Sequence, residues 1–328
     1  DQQDPKRQQG HTEPSNADLA AQLAWRFNIP NQLMVAAKAS TGDLLGLDPA
    51  QRYSMLWQAC REQIRAPLEQ LADRVVSDAS WDKLIVSKDE KQQLTRLCDQ
   101  ISHAHIVHQD WGLGAKSGRG LGLSALFYGK PGTGKTYAAE VIANELKLDL
   151  FRVDLSTIVD KYVGETEKNI RHIFDAAESG GCVLLFDEAD ALFTKREEGK
   201  EANDRQANLQ VGYLLQRMEQ FRGLAILTSN IKSALDNAFL RRLRFVVEFS
   251  LPDEVTRKTL WRKSLAGIAL AEDINFATLA AKAMSGAQIK NAALHAIFEA
   301  AVQSKPLDQT MAEQAIKLEM SKYRTQKH

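Results

Sequence analysis

Four short, mostly apolar runs punctuate the middle of the chain: Leu123 to Tyr128, Cys182 to Phe186, Leu224 to Leu227 and Val246 to Phe249. Runs of this length, bounded by glycine and polar residues, predict strands buried on both faces, as in parallel sheets. Between them the spacing shifts to a helical period, clearest in the alanine-rich stretch Thr136 to Leu146. From Pro252 onward the pattern is helical throughout, with helices predicted over Glu254 to Leu265, Phe276 to Ala283, Ala287 to Gln303 and Asp308 to Tyr323. Residues 1–17 are polar and lack apolar periodicity, which predicts a disordered tail. Residues 18–76 carry helical patterns around Leu33 to Ala39 and Gln51 to Val76. The expected organisation is therefore a tail (1–17), a small helical segment (18–76), an α/β domain (77–251) and an all-α domain (252–328).

The strand ending at Tyr128 is followed by Gly129-Lys130-Pro131-Gly132-Thr133-Gly134-Lys135-Thr136 and then by the helix, with Tyr137 in its first turn. This matches the phosphate-cradling pattern G-x-x-x-x-G-K-[ST] in its required strand–loop–helix setting. Glycines let successive N–H groups curl round a phosphate, and the helix N-terminus adds its positive dipole end. Lys135 is placed to neutralise β- and γ-oxygens of a nucleoside triphosphate, and the Thr136 hydroxyl to ligate Mg²⁺. The strand from Cys182 ends in Asp187-Glu188, which separates two tasks: Asp187 holds Mg²⁺ through water, and Glu188 takes a proton from the attacking water. The run from Leu224 ends in Thr228-Ser229-Asn230, which puts a carboxamide at the C-terminal edge of a strand, where Asn230 can orient that water. Arg241, Arg242 and Arg244 then stand among large apolar residues before the last strand, side chains suited to spread phosphate charge.

Taken in this order and spacing, the chain resembles the AAA ATPases, the protein-remodelling clade of the AAA+ superfamily, from about Trp81 to the C-terminus. The resemblance implies a P-loop α/β fold with a parallel five-stranded sheet flanked by helices and followed by a helical lid. It implies that the backbone of Trp81 to Val86, at Ile85 and Val86, contacts adenine, and that Gly286 and Ala287, in a segment similar to S-G-A-D-I, contact the adenosine. Gln288 replaces the usual aspartate there. Leu240-Arg241-Arg242-Leu243-Arg244-Phe245 is similar to L-R-P-G-R-[FL], which makes Arg241 and Arg244 arginine fingers acting on ATP held by a neighbouring subunit. Because Arg242-Leu243 replaces Pro-Gly, which arginine reaches the phosphate stays open. Residues Ser156 to Lys168 resemble the first pore loop, so that Tyr162 and Val163 grip an extended polypeptide by packing. A homo-oligomeric ring, hexameric in this clade, and a protein client follow from the same resemblance. Phe239 to Phe249 is similar to ATPases encoded beside bacterial contractile injection machines, which implies a tube-and-sheath client. The segment 18–76 resembles the lid of a second, upstream module, so the chain reads as the C-terminal part of a longer protein.

Composition narrows the alternatives. The 42 basic and 42 acidic residues leave no net charge, which argues against a dedicated nucleic-acid surface and hence against a DNA-directed motor or loader. A nucleotide-dependent assembly switch that threads nothing stays open. The chain has no run of 18 apolar residues, so no membrane partner is expected. Three widely spaced cysteines, Cys60, Cys98 and Cys182, suit reduced thiols and a cytoplasmic location. His103, His105 and His108 form the one dense histidine group, with no cysteine or carboxylate at ligand spacing.

Overall fold

A computed structural model describes residues 23, 47–104, 106–107, 111–112, 122–155, 165–177, 181–190, 201–230 and 237–322. Six strands form one sheet: β1 (Asp73–Val75), β2 (Leu123–Gly129), β3 (Asp149–Asp154), β4 (Cys182–Asp187), β5 (Leu224–Ser229) and β6 (Phe245–Phe249), in the order β1-β3-β4-β5-β2-β6. The five strands from β3 to β6 run parallel, and β1 pairs antiparallel with β3 at the edge. The expected five-stranded parallel sheet is thus present, with one added strand. β1 has a single apolar residue, Val75, and its pairing is supported by charge, with Asp73 opposite Arg152.

Strands β2 and β5 are buried almost end to end, because helices cover both faces. Alternation sorts their side chains: Leu126 joins the core on one face with Phe174, Phe186, Leu214 and Met218, while Ala125 and Phe127 join the other with Leu94, Leu97, Ile142 and Phe249. The first face is packed by α4 (Glu165–Ala176) and α5 (Glu201–Gln220), the second by α2 (Lys88–Ser102) and α3 (Lys135–Glu145), numbering α1 as Pro49–Leu68. After the four-residue α6 (Asn237–Leu240), four helices form a separate core around fully buried Trp261: α7 (Glu254–Ser264), α8 (Phe276–Ala280), α9 (Gly286–Gln303) and α10 (Gln309–Ser321). Side-chain caps at Asp253, Asn275, Ser285 and Asp308 start them by satisfying first-turn N–H groups. No helix among the described residues is long and apolar enough to cross a membrane.

Helix α1 docks on the sheet edge through contacts to residues 84 to 90 positions further along the chain. Leu68 and Cys60 enter the first-face core, and Trp57 Nε1 donates to the Lys147 carbonyl at 3.1 Å. Arg61 and Arg65 both fork onto the Asp149 carboxylate at the start of β3, Arg65 at 2.8 and 3.1 Å. Burial alone would raise the Asp149 carboxyl, but the hydrogen bonds from Arg65 and Arg61 outweigh it and hold it below its ordinary value of 3.8. Its contribution to stability is therefore complete above about pH 4 and is lost as pH falls through the depressed folded value. Asp149→Ala is expected to cost about 2–3 kcal/mol near neutral pH, since it strands two partly buried guanidinium groups. Urea unfolding at pH 7 and pH 3 checks this: the gap between wild type and variant should narrow in acid.

The three cysteines are buried and free, and burial pushes the Cys98 and Cys182 thiols up to about 12, which removes thiolate chemistry at neutral pH. His103 Nδ1 lies 2.8 Å from the Asp99 carbonyl; His105 and His108 lie outside the described residues.

Candidate active site

The strand order decides which chain segments meet. Because β5 lies between β2 and β4, the end of β5 stands between the glycine loop and the Asp187-Glu188 pair. The loop's glycines have physical reasons. A Cβ at Gly129, φ +148°, would come 2.1 Å from the Phe249 carbonyl oxygen. At Gly132, φ +76°, a Cβ would meet Ser285 Oγ at 2.7 Å and Ala287 Cβ at 2.8 Å. Gly134, φ +104°, begins α3 with no side-chain cap, so the first-turn amides of this helix are left to an anion.

Lys135, nearly buried at the first position of α3, is held by three acceptors: the Gly129 carbonyl at 2.7 Å, the Lys130 carbonyl at 3.1 Å and Asn230 Oδ1 at 2.9 Å. Burial draws its ammonium below the ordinary lysine value, opposed by the carboxylates of Asp190 and Asp187. Thr136 follows in the same turn, partly buried. Thr133 Oγ1 donates to the Lys130 carbonyl at 2.8 Å, tightening the loop around Pro131.

Across the cleft, Asp187 Oδ1 accepts a short hydrogen bond from Thr228 Oγ1. Glu188 is exposed and adopts φ +55°, a left-handed conformation that costs an L-residue strain. Two residues on, Asp190 grips the end of β5, accepting from Ser229 Oγ at 2.6 Å and from the Asn230 backbone N–H at 2.9 and 3.0 Å. Neither Thr228 nor Asp190 was singled out by the sequence reading. The available signal was a hydroxyl-bearing strand end, Thr228-Ser229, opposite a strand end rich in carboxylates.

The C-terminal helices close over the loop. Ala287 N–H donates to the Gly132 carbonyl at 3.0 Å, which places Gly286 and Ala287 against the glycine loop. Gln288, the departure from aspartate, completes a capping box: its Oε1 accepts from Ser285 N–H at 2.8 Å while Ser285 Oγ accepts from Gln288 N–H at 3.3 Å. The segment before α2 is fixed from two sides, Asn144 Nδ2 reaching the carbonyls of Ser77 at 3.1 Å and Ala79 at 2.8 Å, and Lys263 Nζ of α7 reaching the carbonyl of Asp82. Val86, partly buried, packs in the second-face core together with Tyr137, and Ile85 is partly buried beside it. Buried Glu90 ties this segment down further, accepting from Ser87 N–H at 2.7 Å and Ser250 N–H at 2.8 Å.

The arginines lie elsewhere. Phe239 and Leu243 turn into the core, leaving Arg241, Arg242 and Arg244 exposed, and the Arg244 N–H donates to the Ser124 carbonyl at 3.1 Å. They therefore sit at the N-terminal edge of the sheet, a strand's length, about 16 Å, from the glycine loop. Tyr162 and Val163 lie outside the described residues.

Residues 125–253 match the family model described as "ATPase family associated with various cellular activities (AAA)". The chain belongs to the AAA family of ATPases. It is 31% identical over 225 residues to the "Uncharacterized AAA family ATPase y4kL" of Sinorhizobium fredii, a match covering 69% of this chain and 66% of that protein. It is 32% identical over 235 residues to the "26S proteasome regulatory subunit 4 homolog B" of Arabidopsis thaliana, covering 69% of the chain and 49% of the relative. To the "ATP-dependent zinc metalloprotease FtsH" of Acaryochloris marina it is 31% identical over 247 residues, 71% of the chain and 37% of the relative. The chain thus spans between about a third and two thirds of the length of these AAA relatives. Binding and hydrolysis of ATP follow from the family.

Proposed function

We propose that this AAA ATPase assembles into a ring, hexameric as in its clade, whose Mg²⁺-dependent turnover pulls on or rearranges protein partners in the cytoplasm. One observation supports the reading above the rest. Lys135, Asn230, Asp187 and Glu188 converge at one edge of the sheet, while Arg241 and Arg244 are exposed at the other. A chain built this way has half a phosphate site on each of two surfaces, and stacking protomers edge to edge joins them.

In this reading Gly129 to Thr136 cradle the phosphates, Lys135 exchanges its loop acceptors for phosphate oxygens, and Asn230 and Glu188 orient and deprotonate the attacking water. Gly286, Ala287, Ile85, Val86 and Tyr137 enclose the nucleoside end. Thr136 and Asp187 fit a magnesium ion, being a hydroxyl at a helix start and a carboxylate whose orientation Thr228 fixes. Such an ion supplies positive charge to the β- and γ-phosphate oxygens. Tyr162 and Val163 are the gripping residues. The printed names of the relatives, proteasome regulatory subunits and an ATP-dependent protease, support action on polypeptides.

The test is to load the Glu188→Gln variant of the full chain with ATP and a permanently unfolded model polypeptide and image the particle. A closed ring holding a polypeptide strand is expected, and Tyr162→Ala should abolish both that density and polypeptide-stimulated turnover. A ring that forms with ATP but never engages the polypeptide, with Tyr162→Ala silent, would replace threading by an assembly switch.

A further inference from the structure

We propose that Thr228 is a positioning residue for hydrolysis, setting the strained turn that carries Glu188; this rests on the assignment of Glu188 as the group that deprotonates water. Thr228 is 2% exposed, at the end of β5 just past the last residue pair that joins β4 to β5, Phe186 with Leu227. Beyond that pair Thr228 ties β5 to the Asp187-Glu188 end of β4, while Asp190 holds Ser229 and Asn230. A hydroxyl has one proton, and that of Thr228 goes to Asp187 Oδ1. Its oxygen then accepts the Glu188 N–H at 3.2 Å, and its main-chain carbonyl accepts the Ala189 N–H at 2.9 Å.

Both peptide N–H groups of the turn therefore end on one residue. That matters because Glu188 stands at φ +55°, a conformation a non-glycine residue keeps only when its surroundings impose it. Removing the hydroxyl leaves the Glu188 N–H without this acceptor and Asp187 Oδ1 without this donor, so the turn relaxes toward an ordinary φ and the Glu188 carboxylate leaves its place. Nucleotide binding is a separate matter, since Lys135 is held by Gly129, Lys130 and Asn230.

The experiment compares Thr228→Val, which keeps shape and β-branching but not the hydroxyl, with Thr228→Ser, which keeps it, each in the 328-residue chain and again combined with Glu188→Gln. Thr228→Val is expected to lower kcat about tenfold or more, the effect of losing hydrogen bonds to a charged group. ATP affinity measured without magnesium should stay at the wild-type value, Thr228→Ser should restore most of the turnover, and Thr228→Val should add little to Glu188→Gln in single-turnover assays. Wild-type turnover in Thr228→Val, or a loss of equal size in both backgrounds, overturns the proposal. So does a fall in ATP affinity that tracks the fall in turnover. If Glu188→Gln itself turns over at the wild-type rate, the assignment of Glu188 fails first and this proposal with it, whereas a dead Glu188→Gln beside a fully active Thr228→Val sinks this proposal alone. Should Thr228→Val not melt cooperatively, Thr228→Ala removes the same hydroxyl without overfilling the site and carries the same expectation.

Discussion

Glu188→Gln is expected to lower steady-state ATP turnover by about 10²–10⁴-fold, the range for losing a positioned general base. Glutamine has nearly the shape of glutamate, so the turn held by Thr228 should survive the change. The proton acceptor is lost and the architecture kept. ATP affinity should stay close to wild type, because the phosphate cradle of Gly129 to Thr136 and the ammonium of Lys135 are untouched. Fluorescent-nucleotide titration paired with phosphate-release kinetics separates the two quantities. A variant that binds ATP normally and also hydrolyses it normally would move the base elsewhere on the strand edge.

Arg241→Ala or Arg244→Ala should lower turnover by about 10³-fold or more, the effect that an arginine finger has in GTPases. Geometry makes the prediction sharper than a simple loss of activity. These residues are a strand's length from their own subunit's glycine loop, about 16 Å, beyond an arginine's reach. Equimolar mixing of an arginine variant with Glu188→Gln should therefore restore turnover, since some interfaces then pair the intact pocket of one protomer with the intact arginine of the next. Mixing each arginine variant in turn also shows which of the two completes the site. Two inactive variants that stay inactive when mixed under ring-forming conditions would place the arginines outside the chemistry.

How much was legible beforehand depends on how far apart in the chain each feature's parts lie. Gly129 to Thr136 could be read in full because all its parts are contiguous and its φ requirements select glycine locally. The same holds for the helices after Pro252, where period and capping residues are local, and there the observed ends fall within a few residues of those expected. β1 escaped because the helical pattern expected over Gln51 to Val76 was carried through it, whereas the helix ends at Leu68 and the approach of β3 makes Asp73–Val75 a strand. The fork of Arg61 and Arg65 on Asp149 joins residues 84 and 88 positions apart, and no local pattern announces it. Gln288 reads only as a replacement of the usual aspartate, whereas in place it does a capping residue's work with Ser285.

The sequence by itself determined the fold class, the phosphate loop, the acidic strand end and the asparagine beyond β5, since each is specified by residue types at short fixed spacings. Only the tertiary structure decided that β5 separates β2 from β4. That order places Asn230 against Lys135, gives Thr228 to the Asp187-Glu188 turn, and sends the arginines to the far edge. The reason is physical: which strands become neighbours is settled by burying two faces of one sheet under helices, a condition on the whole chain that no short stretch of it records.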